Sequence, residues 1–144
     1  MSDLQPEISA LDRVRRPNAI QCSRAAHLFP YLAFLREVGA PVDDELRRAR
    51  LPSLLAEDPD MYLPDRRLRR FLRAISEKEG IDDLAERAMT YSDLTDLSGG
   101  TSNVVTESPT LYSALKYFCR RCTVEDTFLR VWITGDEAAV RVSC

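Results

Sequence analysis

An α+β fold is predicted, with a mainly helical N-terminal two-thirds packed on a C-terminal antiparallel β-hairpin or small sheet. Three observations predict it. Apolar residues recur at the i, i+3, i+4, i+7 spacing of a one-faced helix in several segments up to Cys122. From Thr127 the pattern changes to strict alternation, with Phe128, Arg130, Trp132 and Thr134 facing one way and Leu129, Val131 and Ile133 the other. Gly135–Asp136 then reads as a two-residue hairpin turn, its glycine in the first central position suiting type II′.

The elements follow in order. Residues 1–18 are polar, carry Pro6 and Pro17, show no sustained period, and read as a flexible lead-in to a single domain over 19–144. Ala25–Val38 is a helix with Leu28, Tyr31, Leu32 and Leu35 on its buried face and Gly39 as its stop. Pro30 sits either in its first turn, where the missing N–H costs nothing, or at a kink. Asp43 or Asp44 caps a short helix bearing Leu46 and Ala49, and Pro52 ends it. Ser53–Glu57 adds one turn, and Asp58–Asp65, with two prolines, is a turn. Asp65 opens the clearest helix, closed at Glu79 by Gly80, with Leu68, Phe71, Leu72 and Ile75 in register and Phe71 and Leu72 at its buried centre. Asp82 caps a further helix through Met89 that packs Leu84, Ala85 and Ala88. Residues 90–107, rich in Ser, Thr and Gly, read as a loop with a short strand at Asn103–Thr106. Ser108 as N-cap and Pro109 at the first position start a helix to about Arg121, with Leu111, Ala114, Leu115, Phe118 and Cys122 on one face.

Composition bounds the function. The chain has 144 residues, 44% hydrophobic and 30% charged, with a net charge of −3. A domain of this length buries roughly 70% of its unfolded surface and needs no disulfide or metal to hold it. The acidic balance argues against the whole chain binding nucleic acid. No apolar run reaches the roughly 18 residues of a membrane span, and the N-terminus lacks a signal-peptide core, so a cytoplasmic protein without membrane contact is expected.

Few residues offer chemistry. Cys119-Arg-Arg-Cys122 has the C-x-x-C spacing of a redox dithiol or half a zinc site. It falls near the predicted C-terminal end of a helix, where the dipole disfavours a thiolate, and small core-facing residues are the plainer reading. A zinc site would need two more ligands from Cys22, His27, Cys144 or carboxylates. His27 is the sole histidine, lies in an apolar stretch, and reads as a structural, hydrogen-bonded residue. Arg66, Arg67, Arg69, Arg70 and Arg73 share one helix. Eight arginines between Asp44 and Ile75 face six acids, and the i, i+4 spacing of Arg69, Arg73 and Glu77 marks a solvated, paired face. Ser98-Gly99-Gly100-Thr101-Ser102 could cradle an anion through backbone N–H groups but lacks the lysine and spacing of a P-loop. Tyr91, Tyr112 and Trp132 are the candidate pocket-lining residues, although a Trp in an alternating hairpin is more often core.

Four short motifs occur in order: L-x-x-x-G-A-P-V-D over 35–43, L-x-x-A-x-L-P over 46–52, D-P-D-x-Y-L-P over 58–64 and E-G-I-x-D-L over 79–84, followed by SPTLYSALKYFCR over 108–120. Together they resemble the N-terminal effector-sensing domain, of the arabinose-binding type, of AraC/XylS-family bacterial transcription regulators. The resemblance covers roughly residues 20–142. It implies a domain that senses a small-molecule effector, forms a homodimer, and controls promoter binding by a C-terminal helix-turn-helix domain. It also implies further strands beyond Cys144, so the expected sheet is incomplete. The chain is then a truncated sensing domain whose regulator would touch DNA only through the absent C-terminal domain. An incomplete sheet leaves an edge that invites self-association.

The reading is therefore a non-enzymatic effector-sensing and dimerisation module that takes no cofactor. The alternatives are a non-catalytic protein-interaction module or gene remnant and, less favoured, a thiol redox protein using Cys119 and Cys122.

Overall fold

The computed structural model describes residues 19–53, 55–135 and 140–143, and the expected lead-in over 1–18 lies outside them. The fold is α+β and mainly helical, with six α-helices and two small antiparallel sheets among the described residues.

The first strand, β1 (Cys22–Arg24), leads through a 3₁₀ turn (Ala25–Leu28) into α1 (Phe29–Glu37). Pro30 lies in the first turn of α1, so its missing N–H leaves no intrahelical bond unmade and the helix does not kink there. Gly39, at φ +78°, takes the left-handed conformation that ends the segment. Helix α2 (Val42–Arg48) has Pro41, not an aspartate, at its N-cap position. Asp43 and Asp44 lie inside the first turn, where they complement the helix dipole instead of capping it. After α2 a 3₁₀ turn spans Leu55–Glu57.

The Asp58–Asp65 segment, expected to be only a turn, contains β2 (Tyr62–Pro64), paired antiparallel with β1 so that Ser23 lies opposite Leu63. Proline ends this strand without interrupting it, and the ladder continues on both sides through Ala25 N–H to the Met61 carbonyl and Asp65 N–H to the Gln21 carbonyl, both 2.8 Å. The partner strand, 40 residues upstream, supplies what local turn chemistry could not reveal.

Helix α3 (Asp65–Glu79) has the expected bounds, and Gly80 closes it at φ +65°. Leu68, Phe71 and Ile75 are buried. Leu72 is only partly buried, because it lies 100° round the helix from Phe71 at the margin of the core stripe, not at its centre. On the other side Arg69 pairs with Asp65 and Arg73 with Glu77, as a solvated face would. Helix α4 (Leu84–Met89) buries Leu84 and Ala88 but exposes Ala85. Its N-cap position is Asp83, one residue after Asp82, and no side chain caps it.

The largest departure is α5 (Gly99–Glu107), which replaces the expected loop and the strand at Asn103–Thr106. Two glycines and several β-branched residues argue locally against a helix. Packing on α6 (Leu111–Glu125) and the anchoring of Ser98 described below override that preference. The cap of α6 is a reciprocal Thr110–Ser113 box in place of Ser108–Pro109, which moves the start by two residues. Leu111 is consequently 77% exposed, whereas Ala114 and Cys122 are buried. The helix also runs one turn past Arg121.

The chain ends in a hairpin of β3 (Trp132–Gly135) and β4 (Val140–Ser143). Gly135 pairs with Val140 and Thr134 with Arg141, so Gly135 belongs to the ladder. That register leaves four residues between the strands and overturns the two-residue turn at Gly135–Asp136. The alternation holds in sense: Ile133 is half-buried while Trp132 and Thr134 are exposed.

The main core is formed within residues 25–88, where Leu28, Leu35, Leu46, Leu55, Phe71 and Ile75 are all nearly or fully buried. The α5–α6 pair is a second layer, joined to β1 by a Ser23–Asp126 bridge and by Thr127 N–H donating to the Cys22 carbonyl at 2.9 Å. Phe71→Ala should cost about 3–5 kcal/mol by the transfer and cavity terms. Leu72→Ala should cost less than half the Phe71 loss in the same urea titrations. Equal losses would show that the stripe is wrongly assigned.

Candidate functional site

A cleft of about 310 Å³ lies where the two layers meet, lined by Arg24, Asp60, Tyr62, Ser98, Gly99, Gly100, Arg121 and Val124. Its walls come from β1, from the approach to β2 and β2 itself, from the first turn of α5, and from the last turns of α6.

Arg24 is the centre of this arrangement. It closes β1 and is only 4% exposed. Its Nη1 donates to Glu125 Oε2 at 2.6 Å and to the Asp96 carbonyl at 2.9 Å, and its Nη2 donates to Asp60 Oδ1 at 2.6 Å. Burial disfavours the guanidinium charge, but Glu125 and Asp60 outweigh it and raise the pKa of Arg24. Glu125, in the last turn of α6, is as deeply buried. It accepts from the Ser98 hydroxyl at 2.7 Å and from the Ser98 N–H at 3.0 Å, so one carboxylate pairs with Arg24 and anchors the entry to α5. Burial pushes the Glu125 carboxyl up. The Ser98 and Arg24 donors together overcome this and hold it below the ordinary carboxylate range.

His27 has its Nε2 3.2 Å from Glu125 Oε2, without hydrogen-bond geometry. Ser98, Glu125 and His27 thus meet, but in the wrong order for a nucleophile. The serine hydroxyl donates to the carboxylate instead of to the imidazole, and Arg24 neutralises that carboxylate. Among the described residues no three His, Cys, Asp or Glu side chains converge as a metal site.

Arg121 differs from Arg24. Its guanidinium lies against Gly100, where an added Cβ would sit 3.5 Å from Nη2. Its Nε is buried without a hydrogen-bond partner, and it forms no ion pair among the described residues. A second cavity, of about 340 Å³ at the α1–α2 corner, is lined by Arg36 and Arg47, but these are paired with Asp43 and Asp44 respectively.

The residues singled out from sequence lie elsewhere. The Tyr91 hydroxyl donates to Glu37, a bond that raises its pKa, and its ring lies 6.1 Å from that of Phe34. Tyr112 lies under the Lys116 ammonium at 5.3 Å. Trp132 is 43% exposed on β3. Neither cavity described is lined by any of the three. The Ser98–Ser102 run, by contrast, contributes three residues to the cleft, as the first turn of a helix and not as a loop. Cys119 is half-buried, and burial together with the neighbouring Cys122 raises its pKa. The Cys122 thiol is buried and donates to the Cys119 and Leu129 carbonyls at 3.3 and 3.5 Å. The surroundings of Cys119 favour its protonated thiol. No helix among the described residues is long and apolar enough to cross a membrane.

Removing Arg24 leaves the buried Glu125 carboxylate without its guanidinium, so Arg24→Met should cost about 3–5 kcal/mol. Adding Glu125→Leu should restore most of that loss, less about 1 kcal/mol for the missing anchor at Ser98. Urea unfolding of the two single variants and the double variant measures both; additive losses would sink the pairing. The carboxyl of Glu125 titrates lower in the folded chain than its ordinary 4.5. Its contribution to stability is therefore complete above that pH and lost as the pH falls through the folded value. Acid unfolding curves should steepen below that point in the wild type and be shallower in the double variant. No family model matches the chain, and no curated protein sequence matches it.

Proposed function

We propose that the chain is the effector-sensing module of an AraC-type bacterial transcription regulator. It binds a small molecule in the cleft between β1–β2 and α5–α6 and so controls promoter binding by a helix-turn-helix domain. It acts as a homodimer in the cytoplasm.

The observation that carries the reading is the cleft itself. Its lining residues are drawn from positions 24 to 124 and straddle two layers joined by a buried ion pair. A ligand seated there touches both layers at once, so its binding energy can bias how they are held. The four motifs that resemble the family add support, since their Gly39, Pro41, Pro64 and Gly80 sit at the ends of α1, α2, β2 and α3. Self-association is supported by β3 and β4, which pair only with each other among the described residues, and by the exposed Trp132 on β3.

A thermal-shift screen of the purified chain against a broad metabolite panel, with light scattering in reducing buffer, tests the reading. A true effector at 100 times its Kd should stabilise the fold by about 2.7 kcal/mol. The scattering mass should be that of a dimer. A clean monomer at tens of micromolar, unmoved by any compound, would overturn the proposal in favour of a plain interaction module.

A further inference from the structure

We infer that the α5–α6 layer is a hinged lid, which lifts from the β1–β2 ribbon as one piece while the core of residues 25–88 stays folded. The opening follows from the packing alone and holds whether or not a small molecule enters the cleft.

The two layers bury separate apolar surfaces. Every residue of the main apolar cluster lies within 25–88. Ala114 and Cys122, buried on α6, are not part of it. Helices α5 and α6 pack chiefly on each other, and β3 packs on α6 and β4. The layers are joined instead by polar groups. Arg24 donates to Glu125 and to the Asp96 carbonyl, and Tyr62 donates to the Val124 carbonyl. Cys22 N–H donates to the Thr127 hydroxyl, and Thr127 N–H to the Cys22 carbonyl, both at 2.9 Å. Arg69 of α3 adds a cation–π contact with Phe128 at 5.8 Å. Burial of apolar surface holds each layer together, whereas exchanging a buried ion pair for water comes close to breaking even.

The division of partners makes the opening cheap. When the layers part, Arg24 keeps Asp60, and Glu125 keeps the hydroxyl and N–H of Ser98. Neither charge is stranded. The closed join is also imperfect. Arg24 Nε and His27 Nε2 are buried there without a hydrogen-bond partner, although His27 Nε2 lies 3.2 Å from Glu125 Oε2. A buried polar atom left unpaired is costly, and opening gives both of these to water. The hinge is the exposed stretch 92–95. It runs from Tyr91, whose hydroxyl holds Glu37 of α1, to Asp96 beside Arg24.

Native-state hydrogen exchange of the whole chain, followed by NMR where reclosing outpaces exchange, tests the lid. The amides of α5 and α6 should exchange through one shared opening, at least about tenfold less protected than those of Phe71 and Ile75 in α3. Phe71→Leu weakens the core in the open and closed forms alike. It should cut the protection of the α3 amides about tenfold and move those of α6 less than about twofold. Ile75→Val repeats the comparison with a gentler change. Arg24→Met should speed exchange in α5 and α6 about a hundredfold, and adding Glu125→Leu should reverse most of that. Equal protection in α3 and α6, or an equal fall in both with Phe71→Leu, would show a single cooperative unit and overturn the inference. Exchange in α6 that is unmoved by Arg24→Met, or not recovered in the double variant, would do the same, because the join would then not be the polar one described.

Discussion

The contact between Arg24 and Glu125 is the constraint on which the rest of the architecture depends. Each group alone would be expensive to bury, and each is buried because the other is there. Their meeting fixes where β1 ends relative to the last turn of α6. Through the Ser98 hydroxyl and N–H it also fixes where α5 begins. Asp60 ties the approach to β2 to the same guanidinium. Four stretches of chain are thus held together by one ion pair and its neighbours. The apolar core of residues 25–88 is built separately, by Leu, Phe and Ile side chains on the first four helices and the segments that join them.

This division explains what was legible in the sequence. Helix α3 could be bounded to the residue because its period, its opening acid and its closing glycine all agree, and because its packing partners lie on the same stretch of chain. The strand β2 was hidden because its stabilisation comes from pairing with β1, which no local signal encodes. Helix α5 was hidden for a stronger reason. Gly99, Gly100, Thr101, Val104, Val105 and Thr106 are poor helix residues, and the helix exists because α6 covers it and Glu125 anchors its start. The displaced start of α6 is a contest between two good caps, won by the reciprocal Thr110–Ser113 pair.

The site was less legible than the fold. The Ser98–Gly100 backbone could be recognised from composition as a place where N–H groups gather, but not as a helix entry. The aromatic side chains Tyr91, Tyr112 and Trp132 drew attention because pockets are usually apolar, whereas the one aromatic that lines this cleft is Tyr62, beside Arg24, Asp60 and Arg121. Arg24 carried one faint signal, a cation directly preceding the apolar run from Ala25. Glu125 carried none, since only the fold brings together residues 101 positions apart.

That separation has a temporal side. On a ribosome extending at about 5–20 residues per second, Arg24 emerges about 5–20 s before Glu125. The Ala25–Ala88 core has all its apolar residues by then and can close through contacts of short sequence separation. Arg24 must remain hydrated throughout, so the strand that carries it stays loosely held on a core that is already dry. Docking of the α5–α6 layer then follows closure of that core, and it is the step at which one guanidinium loses its water.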